Sequence, residues 1–295
     1  MSGRRHVSIA MASAVLALAV AVPVHAQGKS GGKGPKSSPP SSSPLPSQTA
    51  IGPVSGAAAP LAWVDDGSVL TPGAVSLTIS MMRWSGVDLS EVDVPVIDVS
   101  VGLAQRVQFG ASMPRVVAGA DGAGPPGGMG TSYFSTKIAI LTGEFVKLAV
   151  SPMIEVLGEA AVQALAPGEG RVQFGVPVSL EVTQGPARVF ASTGFFSRGV
   201  WFAGGGSSVQ VTPRVGVSLS FSRSRAKDDT TGVSRDRREL SGGVSFLLNP
   251  QTGVFASIGH TIATTDENGA GTSITGGVSF LLNPPRVVAV RKKKP

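Results

Sequence analysis

The chain holds 295 residues, 42% of them apolar, with 39 Gly, 22 Pro, no Cys and a formal net charge of +7. Without cysteine it can build no disulfide staple, thiolate metal centre or thiol nucleophile, and its three His (His6, His25 and His260) are too few for a histidine cage. The positive charge belongs to the ends: all 18 acids fall within 51–285 beside 15 bases, so that region carries a net charge of −3, and no nucleic-acid-binding face is expected there.

In chain order, the first element is a leader. Arg4 and Arg5 precede an apolar run from Val7 to Val24, and Val24-His25-Ala26 supplies a small-residue cleavage site before Gln27. This is the pattern of a secretory signal peptide over 1–26, and Pro23 disfavours a retained membrane helix. Residues 27–62 are rich in Pro, Ser, Gly and Lys and poor in bulky apolar groups, which predicts a disordered linker. Gly28-Lys29-Ser30 has the ending of a phosphate-binding loop, but the loop's first glycine would fall at Pro23, so no nucleotide or other cofactor is expected.

From Gly73 the pattern has period two. Val75, Leu77, Ile79 and Met81 alternate with Ser76, Thr78 and Ser80, and Ile97, Val99, Val101 and Leu103 alternate with Asp98, Ser100 and Gly102. The same alternation returns at 107–113, 134–140, 146–151 and 172–181, then at about 187–197, 200–211, 214–224, 238–248, 253–264 and 271–282. About twelve strands of roughly ten residues follow, each with one apolar face and one polar or small face. Connectors are short at Ala104-Gln105, 142–144, 184–186, Thr212-Pro213 and 249–252, and mostly long and hydrophilic at 85–91, 114–130, 158–170, 225–237 and 265–270. The connector at Arg198-Gly199 is a short exception. Alternating short and long connectors mark outer-membrane barrels. A near-repeat, Leu240 to Pro250 against Ile274 to Pro284, returns after 34 residues, the length of one hairpin step.

These patterns predict an all-β chain: a single antiparallel transmembrane β-barrel over 63–284, with up-and-down topology, followed by a basic tail at 285–295. A barrel with lipid outside and water inside accounts for both faces of every strand. A secreted soluble β-sandwich with a binding or adhesive role is the alternative.

Trp63-Val-Asp-Asp-Gly-Ser-Val-Leu-Thr-Pro-Gly73, Val101 to Pro114, Gly130 to Lys137 and the two closing strands at Thr252–Gly259 and Ile274–Phe280 resemble the outer-membrane transporters grouped with the meta-pathway of phenol degradation. The resemblance covers roughly 63–282 and implies an outer-membrane channel for small hydrophobic or aromatic compounds. The chain departs from many bacterial barrels in following Phe280 with a Pro- and Lys-rich tail, and its 5% aromatic content is thin for two interfacial girdles. Trp84, Tyr133, Trp201 and Phe202, near strand ends, are candidates for part of one girdle.

The strand parity turns Asp98, Arg106, Lys137, Lys147, Glu155, Arg171, Glu181, Arg188 and Arg198 inward. These are the candidate pore-lining residues, and six bases against three acids favour anions unless the charges brace one another in ion pairs. The closing strands turn Gly216, Ser218, Ser220, Ser245, Ser257 and Ser279 inward, leaving room for a plug or an opposing charged wall. A lipid hydrolase would need a convergent nucleophile and base; His260 is expected outward with Ser273 on the next strand, but no nucleophile elbow accompanies them, so no enzyme is expected. Asp266-Glu267-Asn268-Gly269 lacks the spacing of a calcium loop, and no metal is expected. The expected partners are outer-membrane lipid, the barrel assembly machinery and, through the basic tails, peptidoglycan, which would make a tethered structural barrel the rival to a channel.

Overall fold

A computed structural model of the chain describes residues 65–86, 90–117, 127–159, 170–197, 199–226, 236–264 and 270–283. The expected leader (1–26), linker (27–62) and basic tail (285–295) lie outside the described residues, as do Arg198 and the 266–269 loop.

The period-two segments become strands: β1 (Val75–Gly86), β2 (Ser90–Ala104), β3 (Val107–Val117), β4 (Gly128–Met129), β5 (Ser132–Thr142), β6 (Val146–Val150), β7 (Met153–Val156), β8 (Val172–Gly175), β9 (Val178–Gln184), β10 (Ala187–Phe196), β11 (Val200–Gln210), β12 (Val215–Ala226), β13 (Asp236–Asn249), β14 (Thr252–Thr264) and β15 (Gly271–Leu282). Three barrel strands are interrupted, so that β4 with β5, β6 with β7 and β8 with β9 are in-line halves, giving twelve barrel strands in all. Pro152 separates β6 from β7, and Pro177 separates β8 from β9. Proline has no N–H for the ladder, yet the Pro177 carbonyl still accepts from Ser151 N at 2.8 Å and the Pro152 carbonyl from Thr136 N at 3.0 Å.

Each strand pairs antiparallel with its neighbours, and the sheet closes where β1 meets β15 from Val75 opposite Leu282 to Gly86 opposite Gly271. Closure leaves no free edge, which is what a sheet needs inside hydrocarbon. The two near-repeat segments are β13 and β15, the strands on either side of β14.

Burial runs opposite to that of a water-soluble sheet protein. Met81 (53%), Phe174 (59%), Leu219 (54%) and Ile274 (57%) are exposed on the outside, whereas Thr78, Lys137, Glu155, Glu181 and Ser279 are buried inside. In a β-sandwich the apolar faces would meet in the core. Closure of the sheet and its apolar outer face therefore overturn the soluble-sandwich alternative.

The expected aromatic girdle is corrected in part. Trp201 is exposed on the outer face, but Phe202 is fully buried on the inner one, packed with Phe196 and Val200 and flanked by Tyr133 and Met153. Trp84 also turns inward, with the Arg237 guanidinium 6.0 Å from its ring. Position near a strand end did not decide the face; parity along the strand did.

Candidate functional site: a strapped, charged inner mouth

Before β1, residues 65–74 form a strap that runs along the inner wall at the end of the barrel where the short turns lie. Gly73 N donates to the Gly102 carbonyl at 2.8 Å, and Gly102 N donates to the Ala74 carbonyl at 2.9 Å. From there Leu70 N donates to Gln108 Oε1 (2.8 Å) on β3, Ser68 Oγ donates to Glu181 Oε2 (2.6 Å) on β9, and Asp65 N donates to Ser192 Oγ (3.2 Å) on β10. The strap thus passes β2, β3, β5, β6 and β9 to reach β10.

Two glycines make this close approach feasible. A Cβ on Gly67 would sit 2.6 Å from the Lys147 carbonyl oxygen, and a Cβ on Gly102 would collide with the Thr71 carbonyl. Side chains at either position would lift the strap from the wall.

The strap brings acids to wall bases. Lys137, 6% exposed, places its Nζ 2.5 Å from Asp65 Oδ2 and 3.5 Å from Asp66 Oδ1, and donates to the carbonyls of Asp66 (3.3 Å) and Ser68 (3.2 Å). Arg188 donates from Nη1 to Asp66 Oδ2 at 2.8 Å and from Nε to Ser208 Oγ at 3.3 Å, with its guanidinium 5.5 Å from the Phe190 ring. Lys147 Nζ lies 3.1 Å from Glu181 Oε1 and 3.0 Å from Ser68 Oγ. Three bases therefore meet three acids, two of them from the strap.

Burial by itself would raise the Asp66 carboxyl, but Lys137 and Arg188 outweigh it and hold that group below the usual aspartate range. For Asp65 the balance reverses: burial pushes its carboxyl up against the pull of Lys137.

Of the residues expected inward, Lys137, Lys147, Glu181 and Arg188 converge on the strap. Glu155 is buried nearer the long-loop end, where it accepts from Gln173 Nε2. Asp98 is half-buried in β2, opposite Thr78 and Ser112. Arg106 is exposed in the turn between β2 and β3, and Arg171 is exposed just before β8, donating to the Leu157 carbonyl at 3.2 Å, so neither joins the charged group at the strap. Asp65, Asp66 and Ser68 had no role assigned from the sequence, although two adjacent acids precede the first strand of a domain whose inward bases outnumber its inward acids. That charge imbalance was the available signal.

Across the barrel the wall is of another kind. On β12 to β15 the inward positions include Gly216, Ser220, Ser241, Ser245 and Ser279, with Ser220 and Ser241 hydroxyls 2.6 Å apart and Ser279 2.9 Å from Thr78 Oγ1. The candidate hydrolytic pair is separated by this geometry. His260 is exposed outside with Nδ1 2.9 Å from Thr272 Oγ1, while Ser273 is buried on the inner face.

No family model matches the chain, and no curated protein matches it. Among solved structures it is similar to the NanC porin, with 11% identity over 69% of this chain and 98% of that one, at a TM-score of 0.52. It is also similar to the COG4313 outer membrane channel from Pseudomonas putida F1, with 14% identity over 73% of this chain and 98% of that one, at a TM-score of 0.54. At these identities the likeness is one of fold, to a porin and to an outer membrane channel, and this chain spans nearly their whole length. The grouping with phenol-pathway transporters stands as a resemblance of sequence motifs.

Proposed function

We propose that the chain is an outer-membrane channel for passive passage of small solutes, without a catalytic step. The observation that carries this reading is a closed barrel with an apolar outer face and a polar, charged inner one. Hydrocarbon suits the first and water the second, and a wall of hydroxyl, amide and charged groups replaces part of a solute's hydration. The fold shared with a porin and an outer membrane channel supports the same reading and an outer-membrane location, with lipid and the barrel assembly machinery as partners.

The motif resemblance implied a hydrophobic or aromatic solute. Of the inward aromatics, Phe196 and Phe202 are 0% exposed, buried against one another, Phe190 is buried under Arg188, and Trp84 and Tyr133 are partly buried. The wall groups at the strapped mouth are polar, so we read the solute as small and polar.

The test has two stages. Membrane fractionation with boiled and unboiled gel samples should place the chain in the outer membrane with a heat-dependent mobility. Purified full chain in a planar bilayer should then give discrete conductance steps. A heat-modifiable barrel that never conducts would be the tethered structural barrel instead, and a soluble protein with no heat shift would end both readings.

A further inference from the structure

The strap satisfies, with its own acids, cations that the barrel wall leaves otherwise unmatched. Every polar contact of Lys137 Nζ among the described residues comes from the strap: Asp65, Asp66 and the Ser68 carbonyl. Arg188 keeps the Ser208 hydroxyl but has Asp66 as its carboxylate, and Lys147 keeps Glu181. With the strap lifted, the wall at this level holds Lys137, Lys147 and Arg188 against Glu181. Three cations facing the lumen with Glu181 as the wall carboxylate beside them leave an excess of positive charge at this level, which attracts an anion. Neutral groups are also in place: Ser192 Oγ, which the strap reaches through Asp65 N, and Ser208 Oγ beside Arg188.

The form of that anion follows from the two groups now filling the site. Asp65 and Asp66 present separate carboxylates on adjacent residues, Asp65 on Lys137 from β5 and Asp66 between Lys137 and Arg188 from β10. Asp66 by itself spans both cations, so reach alone does not set the class of anion. Two carboxylates a few bonds apart fill both positions, that of Asp65 and that of Asp66, and supply the two negative charges by which Lys137, Lys147 and Arg188 exceed Glu181, whereas a compact anion fills one position. We infer that Lys137 and Arg188, with Lys147 and Ser192, form a binding site for a small organic dicarboxylate, and that Asp65-Asp66 is the tethered occupant such a solute displaces. This deepens the channel reading by naming its solute class, but the site can be tested without conductance.

The chain has no cysteine, so Val69→Cys in the full-length protein gives one reporter in the strap that leaves the polar contacts intact. Its rate of modification by an uncharged maleimide should rise several-fold with succinate. Acetate or inorganic phosphate at matched ionic strength should leave it unchanged. Adding Asp65→Asn and Asp66→Asn, changes confined to the strap, should make labelling fast without succinate and tighten succinate binding several-fold by calorimetry. Lys137→Met with Arg188→Met, which also frees the strap, should abolish succinate binding by calorimetry; heat-modifiable mobility certifies that each barrel has folded. A labelling rate indifferent to succinate, a phosphate response equal to that of succinate, or unchanged succinate affinity in the Asn variant would overturn the site. A protein that responds to succinate yet never conducts would retain the site and lose the channel reading; one that conducts without responding would do the reverse.

Discussion

Asp66 Oδ2 lies 2.8 Å from Arg188 Nη1, although 122 residues of chain separate them. This contact fastens the far end of the strap to β10, and Lys137 holds the same strap from β5. Barrel closure, by contrast, rests on the β1–β15 ladder. The strap can therefore be loosened without opening the barrel. Arg188→Met should weaken strap docking by about 1.5–3 kcal/mol, the range for hydrogen bonds to charged groups. Proteolysis or labelling near residue 69 should accelerate while heat-modifiable mobility stays that of the native chain; equal strap protection in both proteins would contradict this.

Lys137 and Asp65 should prove coupled. Lys137→Met removes the cation beside both Asp65 and Asp66 and leaves two carboxylates facing one another across a partly buried site. Asp65→Asn alone still leaves Asp66 for Lys137. The double change should therefore be less damaging to strap docking than the two single effects summed. A double-mutant cycle on strap labelling rates checks this, and simple additivity would show that the contact carries no energy.

Acid should release the strap late. A carboxyl whose value is lowered by docking, as for Asp66, stabilises the docked state above its free value of about 3.9 and loses that contribution as pH falls through the lowered one. Asp65 is shifted the other way, so the docked state binds its proton more tightly, and protonating Asp65 does not by itself eject the strap. The emission of a fluorophore attached beforehand at Val69→Cys, a readout that does not depend on thiolate chemistry, should keep its docked value from neutral pH into mild acid and change below the ordinary aspartate range. Release near neutrality would refute the assignment of Asp66 as the principal anchor.

Glycine replacement separates close packing from general tolerance. Gly67→Val should displace the strap, because even a Cβ there would stand 2.6 Å from the Lys147 carbonyl oxygen. Gly170→Ala should be silent, since a Cβ there meets nothing within 4 Å. Strap labelling in the two variants gives the comparison directly.

On the outer face, Leu219→Lys should impair assembly. Leu219 is 54% exposed in the middle of β12, and a lysine on the lipid face near the bilayer midplane costs roughly 2–4 kcal/mol. Ser218→Lys, one residue along and turned inward, should be tolerated far better. The yield of heat-modifiable protein in outer-membrane fractions measures both, and equal yields would mean that the outer face does not meet lipid.

What the sequence determined by itself was the set of strands, their two faces and the alternation of connectors. The alternation at 75–81 or 97–103 is local, because successive side chains of a strand must point to opposite faces, and turns such as 184–186 are written in their own Gly and Pro. Inward placement of Lys137, Lys147, Glu181 and Arg188 was legible for the same reason. Tertiary structure alone decided what those side chains meet. Nothing near Lys137 in sequence announces Asp65; the two come together because the sheet closes and the chain before β1 turns inward along the wall. The faces of Trp84, Tyr133 and Phe202 were misjudged where nearness to a strand end was weighed above parity. Arg106 fell in a turn, where alternation no longer sets direction. Contacts across a closed barrel depend on strand order and register around the whole ring, and no local pattern of residues encodes them.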